Sequence, residues 1–251
     1  MIGILGGMGP LATADFFAKL IEETPAQCDE DHVPVLIQSD PRIPRRPPAI
    51  LDGGESPLPA LLASRDRLIA AGAVALAMPC NTAHYWHAQL AADCPVPFLS
   101  IVDASCDELS TMAPAGSRVG IISTHATAVG RVFDAALEAR GYVAMLPSDD
   151  DVVTRILPAI ALVKSGQAER AGRLLEPAID ALLARGAVGV VLACTETPIA
   201  LDTIKSPLRA RCVDTTRALA RACVRFWIER NAIPVRTEPV EVPHATTFRS
   251  P

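Results

Sequence analysis

The 251-residue sequence contains no Cys-x-x-Cys pair, no His-Glu-x-x-His run and no excess of positive charge, and each absence removes a class of function. Without paired cysteines there is neither a zinc ribbon nor a thioredoxin-type redox motif. His84 and His87 stand three apart in His84-Tyr85-Trp86-His87, which lacks the zinc-protease spacing and reads as a packed or surface pair, so no metal is expected. A net charge of −5 offers no general attraction to nucleic acid or to an anionic membrane, so neither is an expected partner. Apolar runs are strand-length, as at 188–193, and fall well short of a membrane span. The opening Met1-Ile2-Gly3-Ile4-Leu5 carries neither a basic leader nor a small-residue cleavage site, so a cytoplasmic location is expected. Lysine is scarce, three residues against twenty arginines, which leaves few candidates for the Schiff base of a pyridoxal enzyme. Of these, Lys164 in Val163-Lys164-Ser165-Gly166 has the most distinctive surroundings and reads either as a cation at a helix C-terminus or as a cleft residue.

What the sequence does contain is alternation. Half of it is hydrophobic and 20% is charged, and a chain of this length buries roughly 70–75% of its unfolded surface. Short apolar runs occur at 2–5, 33–38, 74–78, 98–101, 119–122, 143–146 and 188–193. Stretches of helical period lie between them at 10–23, 57–71, 82–92, 102–112, 127–139, 150–163 and 168–185. That order predicts an α/β protein with parallel sheet flanked by helices. A last helix is predicted at 214–230 with Asp214 as its N-cap. The proline-rich loop 39–59 reads either as solvated surface or as a source of arginines for a carboxylate. The segment 231–251, with four prolines and no apolar period, predicts a flexible tail.

A duplication is faintly visible. Ile2-Gly3-Ile4-Leu5 matches Val119-Gly120-Ile121-Ile122 at an offset of 117, and the run ending at Cys80 matches the run ending at Cys194 at an offset of 114. Either two similar halves carry one cysteine each at the end of a buried strand, or short apolar runs match by chance. The other five of the seven cysteines read as small buried hydrophobes in a reducing compartment. In an open α/β sheet, ligands bind beyond the carboxyl ends of the strands, beside the first turns of the following helices. Cys80 and Cys194 fall there, where a helix dipole favours the thiolate. The turn Gly6-Gly7-Met8-Gly9-Pro10 fits a relaxed dinucleotide fingerprint, but Pro10 removes a backbone donor, and a small carboxylate at a helix start is the preferred reading. His125, after the strand at 119–122, reads equally as a substrate contact or a loop cap.

Taken together, Gly3 to Thr13, Pro41-Arg42-Ile43-Pro44 with Arg46, Met78-Pro79-Cys80-Asn81-Thr82-Ala83-His84, Val163-Lys164-x-Gly166, Ala193-Cys194-Thr195-Glu196 and Asp214-Thr215-Thr216-Arg217 resemble the aspartate/glutamate racemase family, in its aspartate or broad-specificity branch. The resemblance implies two Rossmann-like, doubly wound α/β domains related by pseudo-twofold symmetry, with the active site in the cleft between them. It implies domains at 1–101, completed by 208–230, and at 102–207. It implies a homodimer and an amino-acid racemase that needs no cofactor, pyridoxal phosphate included. Cys80 and Cys194 become the two catalytic groups flanking the substrate α-carbon. Asn81, Thr82 and Thr195 would hold its carboxylate or amino group, and Arg46 and Lys164 a second carboxylate. Met8 and Gly9 of the glycine turn, Thr124 and Glu196 complete the expected contacts. Departures from the family pattern at Arg45, Pro47, Ala126 and Thr197 bear on specificity. A binding or regulatory relative without turnover, and another isomerase of the same architecture, are the alternatives.

Overall fold

The computed structural model describes residues 1–231 and contains two four-stranded parallel sheets. In the first, β1 (Ile2–Gly6), β2 (Val35–Ser39), β3 (Ala75–Ala77) and β4 (Phe98–Leu99) stand in the order β2-β1-β3-β4. In the second, β5 (Arg118–Ser123), β6 (Val143–Met145), β7 (Gly189–Ala193) and β8 (Cys212–Asp214) stand in the order β6-β5-β7-β8. The two orders are the same topology. The register agrees with the duplication residue by residue: Gly3 pairs with Leu76 and Gly120 with Val190, positions related by the same offsets of 117 and 114. β1 and β7 are buried along their whole length, as strands covered by helices on both faces must be.

The first half carries α1 (Pro10–Glu23), α2 (Arg46–Leu51), α3 (Leu58–Ala70), α4 (His87–Ala91) and α5 (Ile101–Met112). The second carries α6 (His125–Val129), α7 (Asp134–Ala139), α8 (Asp149–Asp151), α9 (Leu157–Lys164), α10 (Ala168–Ala184) and α11 (Glu196–Thr203), before the final α12 (Thr215–Asn231). A Cβ on Gly3 would lie 3.1 Å from Leu68 of α3, and one on Gly120 would lie 2.9 Å from Leu182 of α10. The repeated glycine thus lets an equivalent helix sit close against each sheet.

α1 starts with Pro10 in its first turn, where a missing N–H costs nothing, and buries Ala12, Phe16 and Leu20 at four-residue spacing. Phe16 and Leu20 join Ile2 and Ile4 of β1, Val119 and Ile121 of β5, Leu109 of α5 and Leu219 of α12 in one core shared by both sheets. α12 packs against α1 and α5, so the chain's last helix returns to its beginning.

Several elements differ from expectation. β8 was not legible: it is three residues long and includes a charged one, Asp214. The last helix starts at Thr215, and Asp214 caps it through Oδ1, which accepts from the backbone N–H of Thr216 (2.9 Å) and Arg217 (3.1 Å). The loop 39–59 contains the short helix α2, none of whose residues is buried. The stretch 82–92 begins as a 3₁₀ turn, Thr82–Trp86, before α4, and 127–139 is broken at Gly130 between α6 and α7. A π-helical turn, Val152–Ile156, interrupts the stretch 150–163. Lys19 also belongs among the lysines in special surroundings. It is buried, with Nζ 2.7 Å from Asp15 and 2.9 Å from Asp214, and Arg209 lies 3.0 Å from the same Asp214 oxygen. Burial alone would raise the Asp214 carboxyl, but Lys19 and Arg209 hold it below its ordinary value. Apart from Asn231, which closes α12, the segment expected to be a flexible tail lies outside the described residues.

Candidate active site

Cys80 lies just beyond β3 and Cys194 immediately after β7, the equivalent strand of the other sheet. Both are buried, and both line one cavity of about 40 Å³ together with Met8, Arg46, Pro47, Asn81, Thr82, Thr124, Lys164, Thr195 and Glu196. Every catalytic and substrate-contact residue implied by the family resemblance is therefore in this wall except Gly9, while His125, the other candidate contact, is not. A Cβ on Gly9 would lie 3.9 Å from Glu196 Oε1, which places it facing that carboxylate. Pro47, expected only as a departure from the family pattern, is a further member, brought in beside Arg46 by the first turn of α2.

The two cysteines are held differently. Cys194 Sγ donates to Glu196 Oε2 at 3.1 Å, Thr195 Oγ1 donates to the same oxygen at 3.2 Å, and Lys164 Nζ stands 3.5 Å from Glu196 Oε1. Burial first, and then the Glu196 charge, push the Cys194 thiol well above its ordinary value, so it is a thiol and not the thiolate that a helix dipole alone would favour. The Thr197 departure is structural: its backbone N–H (3.0 Å) and its hydroxyl (2.7 Å) both donate to the Cys194 carbonyl. On the other side no carboxylate among the described residues bonds to Cys80. Instead His84 Nδ1 donates to the Cys80 carbonyl at 2.9 Å, while its Nε2 accepts from the Ile101 N–H at 3.0 Å. Burial, helped by His87, lowers His84 to about 3, which keeps the ring neutral in this bridging form. His87 stacks on it at 5.1 Å, so the histidine pair is a packing feature.

Asn81 donates through Nδ2 to Thr215 Oγ1 at 2.9 Å, and Thr215 donates on to the Leu192 carbonyl at 3.0 Å, tying the Cys80 loop to the second sheet. Thr82, Thr124 and Thr127 close a triangle of hydroxyls with edges of 2.8 to 3.1 Å across the same gap. Arg46 sends Nη1 to the carbonyls of Ile43 (3.3 Å) and Pro44 (3.0 Å) and Nη2 to that of Met8 (3.4 Å). Four buried polar side-chain atoms have no partner among the described residues, and two of them, Arg46 Nε and Asn81 Oδ1, belong to this cavity. Such orphaned groups are rare in a folded protein, and one donor with one acceptor is what the two ends of a zwitterion require.

The glycine turn is committed elsewhere. Gly7 has φ +94°, a Cβ there would come within 2.4 Å of the Asp40 backbone, and its N–H donates to Thr13 Oγ1 at 2.9 Å. That N–H is not free to cradle a phosphate. His125 lines a different cavity, and Arg45 is exposed. No cluster of three or more His, Cys, Asp or Glu suited to a metal ion occurs among the described residues, and no helix among them is long and apolar enough to cross a membrane.

Residues 5–223 match the Asp/Glu/Hydantoin racemase family. The chain belongs to that family. As a member it is an isomerase of the amino-acid racemase class. It is 31% identical to the aspartate racemase of Picrophilus torridus, whose structure superimposes with a TM-score of 0.78 over 90% of this chain and 93% of that one. It is 27% identical over 232 residues to the broad specificity amino-acid racemase of Bacillus subtilis, covering 91% of this chain and 98% of the relative. Glutamate racemase from Francisella tularensis, at 14% identity and a TM-score of 0.66, shares the fold over 97% of this chain and 89% of that one.

Two residues that shape this racemase's cleft, Thr127 and Thr215, were not singled out as site residues from the sequence, and one, His84, does more than its packing role. Thr127 and Thr215 are hydroxyls one helical turn or one strand away from the residues they support, and only their i, i+3 relation to Thr124 and their place after Asp214 hinted at them. His84 was read as packing; its bridge between Cys80 and Ile101 depends on a contact with the start of α5 that no local pattern encodes.

Proposed function

We propose that the protein racemises aspartate, or glutamate, without a cofactor, using Cys80 and Cys194 as the acid and the base on opposite faces of the α-carbon. The observation that carries the reading is the shared cavity with one cysteine from each half and with an orphaned donor and acceptor, Arg46 Nε and Asn81 Oδ1, on residues of its wall. Asn81 Oδ1 accepts from the substrate ammonium, and Arg46 and Lys164 face its carboxylates. The lobes are residues 1–101 with the last helix, 215–230, and residues 102–214, since β8 pairs with β7 of the second sheet and not with the first.

In one direction Cys80 as thiolate removes the α-proton, and Cys194, held as a thiol, gives its own proton to the opposite face. In the other direction the same steps run in reverse: Cys194, left as the thiolate, removes the α-proton, and Cys80, left as the thiol, gives its own proton to the opposite face. The carbanion between these steps is stabilised by a donor fixed on the carboxylate, Arg46 Nε, acting where little water competes. Room for about three waters is too little for aspartate, so the wall moves to admit it. α2, none of whose residues is fully buried and which is followed by Gly53-Gly54, carries Arg46 and Pro47 of that wall.

The test is a panel of L- and D-amino acids incubated with purified protein and no added cofactor, followed by chiral chromatography. Aspartate or glutamate is expected to approach equal amounts of both enantiomers. Tight binding of aspartate with no inversion selects the binding-protein reading instead.

A further inference from the structure

Thr215 lies outside the wall of the catalytic cavity, is wholly buried, and joins the two segments that carry the sulfurs. Its hydroxyl donates to the carbonyl of Leu192, two residues before Cys194, and accepts from Nδ2 of Asn81, the residue after Cys80. A carbonyl only accepts, so the single hydroxyl proton is committed to Leu192, and Thr215 Oγ1 is left able only to receive. The two ends of an asparagine amide are nearly alike in shape, and this partner decides between them: Nδ2 must face Thr215. Asn81 is 2% exposed and lines the catalytic cavity, and its Oδ1 is the end left without a partner among the described residues.

The hydroxyl is not part of the scaffold that the two halves share. At the offset of 114 that aligns the cysteine strands, Leu99 of β4 corresponds to Val213 of β8, and the N-cap Ser100 to the N-cap Asp214. Ile101 then corresponds to Thr215. One copy of the repeat fills this place with an apolar side chain, and the other sets a buried hydroxyl there, aimed at Asn81.

We infer that Thr215 is a positioning residue that sets the sense of the Asn81 amide, and so makes the cavity selective for a ligand with an α-ammonium group. The inference rests on the racemase reading above, in which Asn81 Oδ1 receives that ammonium. Without the Thr215 hydroxyl either end of the amide can face the cavity, and Nδ2 turned inward sets a donor against the ammonium. A dicarboxylate with no amino group makes no use of this contact.

The experiment measures Kd for L-aspartate and for succinate by calorimetry, with racemisation assayed alongside, in the wild-type protein and in Thr215→Val, Thr215→Cys and Thr215→Ser. Valine removes the hydroxyl. Cysteine, which is at home in buried sites, keeps a weak donor for Leu192 but only a weak acceptor for Asn81, and it serves if the valine variant does not fold. Thr215→Val and Thr215→Cys are expected to weaken aspartate binding about tenfold or more, and to change succinate binding by less than about threefold. Thr215→Ser, which keeps the hydroxyl, is expected to bind both ligands as the wild type does. Equal losses for both ligands would make Thr215 a structural prop and overturn the inference. So would unchanged aspartate binding in either folded variant, or a serine variant that behaves like the valine one. A wild-type protein that binds aspartate without inverting it overturns the racemase reading and leaves the two ligands to decide the role of Thr215; one that does not bind aspartate overturns both.

Discussion

Cys80 and Cys194 stand at equivalent places in two sheets of one topology, yet one thiol is hydrogen-bonded to a buried carboxylate and the other is not. The backbone of the repeat delivers two sulfurs to one cavity, and the side chains that differ between the halves decide how each sulfur holds its proton. In the second half, Glu196 Oε2 accepts from the Cys194 thiol, and Lys164 and Thr195 hold the glutamate in place. In the first half, His84 fixes only the Cys80 backbone and is kept neutral by burial. Duplication places a sulfur beyond an equivalent strand in each half; divergence sets a carboxylate beside Cys194 that, with burial, raises its thiol.

The largest effect should come from the feature the halves share. Cys80→Ser and Cys194→Ser should each reduce racemisation on the order of 10³-fold, with circular dichroism unchanged. Retention of most activity in either variant would break the equivalence of the two positions.

A smaller effect should come from the feature they do not share. Glu196→Gln removes one of the causes that raise the Cys194 thiol, so the limb of the pH–rate profile set by that thiol should move to lower pH. Because the two enantiomers are equal in free energy, kcat/KM should fall by the same factor in both directions, about 10- to 100-fold. An unshifted profile would mean that Glu196 does not govern Cys194.

A third effect belongs to the first half and is one of stability. His84 sits at about 3 in the folded protein and near 6.5 when unfolded. Below 6.5 the unfolded chain therefore takes up a proton that the folded one refuses. The stabilising contribution is complete above that value and is lost as pH falls towards 3, at about 1.4 kcal/mol per pH unit. Chemical denaturation of His84→Gln across this range should show a flatter dependence than the wild type.

Much of this was legible beforehand, for physical reasons that vary by residue. β1, β3, β5 and β7 are continuous apolar runs ended by polar turns, so strand and site position could be read together. The repeat was readable because Gly3 and Gly120 serve the same close helix approach. β8 was hidden by its length, and α2 by prolines that mark a helix's first turn as readily as a loop. The state of Cys194 was misjudged because the dipole of a following helix is local and visible in sequence, whereas burial, the stronger influence, is not. Lys19 was missed for a similar reason: its partner Asp214 is far away in the chain.

The central claim is that two single-proton acids on opposite faces exchange the α-hydrogen. L-aspartate incubated in D₂O with the wild-type protein, and sampled before much conversion, tests it most directly. The account predicts deuterium at the α-carbon of the D-aspartate formed, with the remaining L-aspartate still unlabelled. D-aspartate that keeps its original hydrogen, or label appearing equally in both enantiomers from the start, would contradict it.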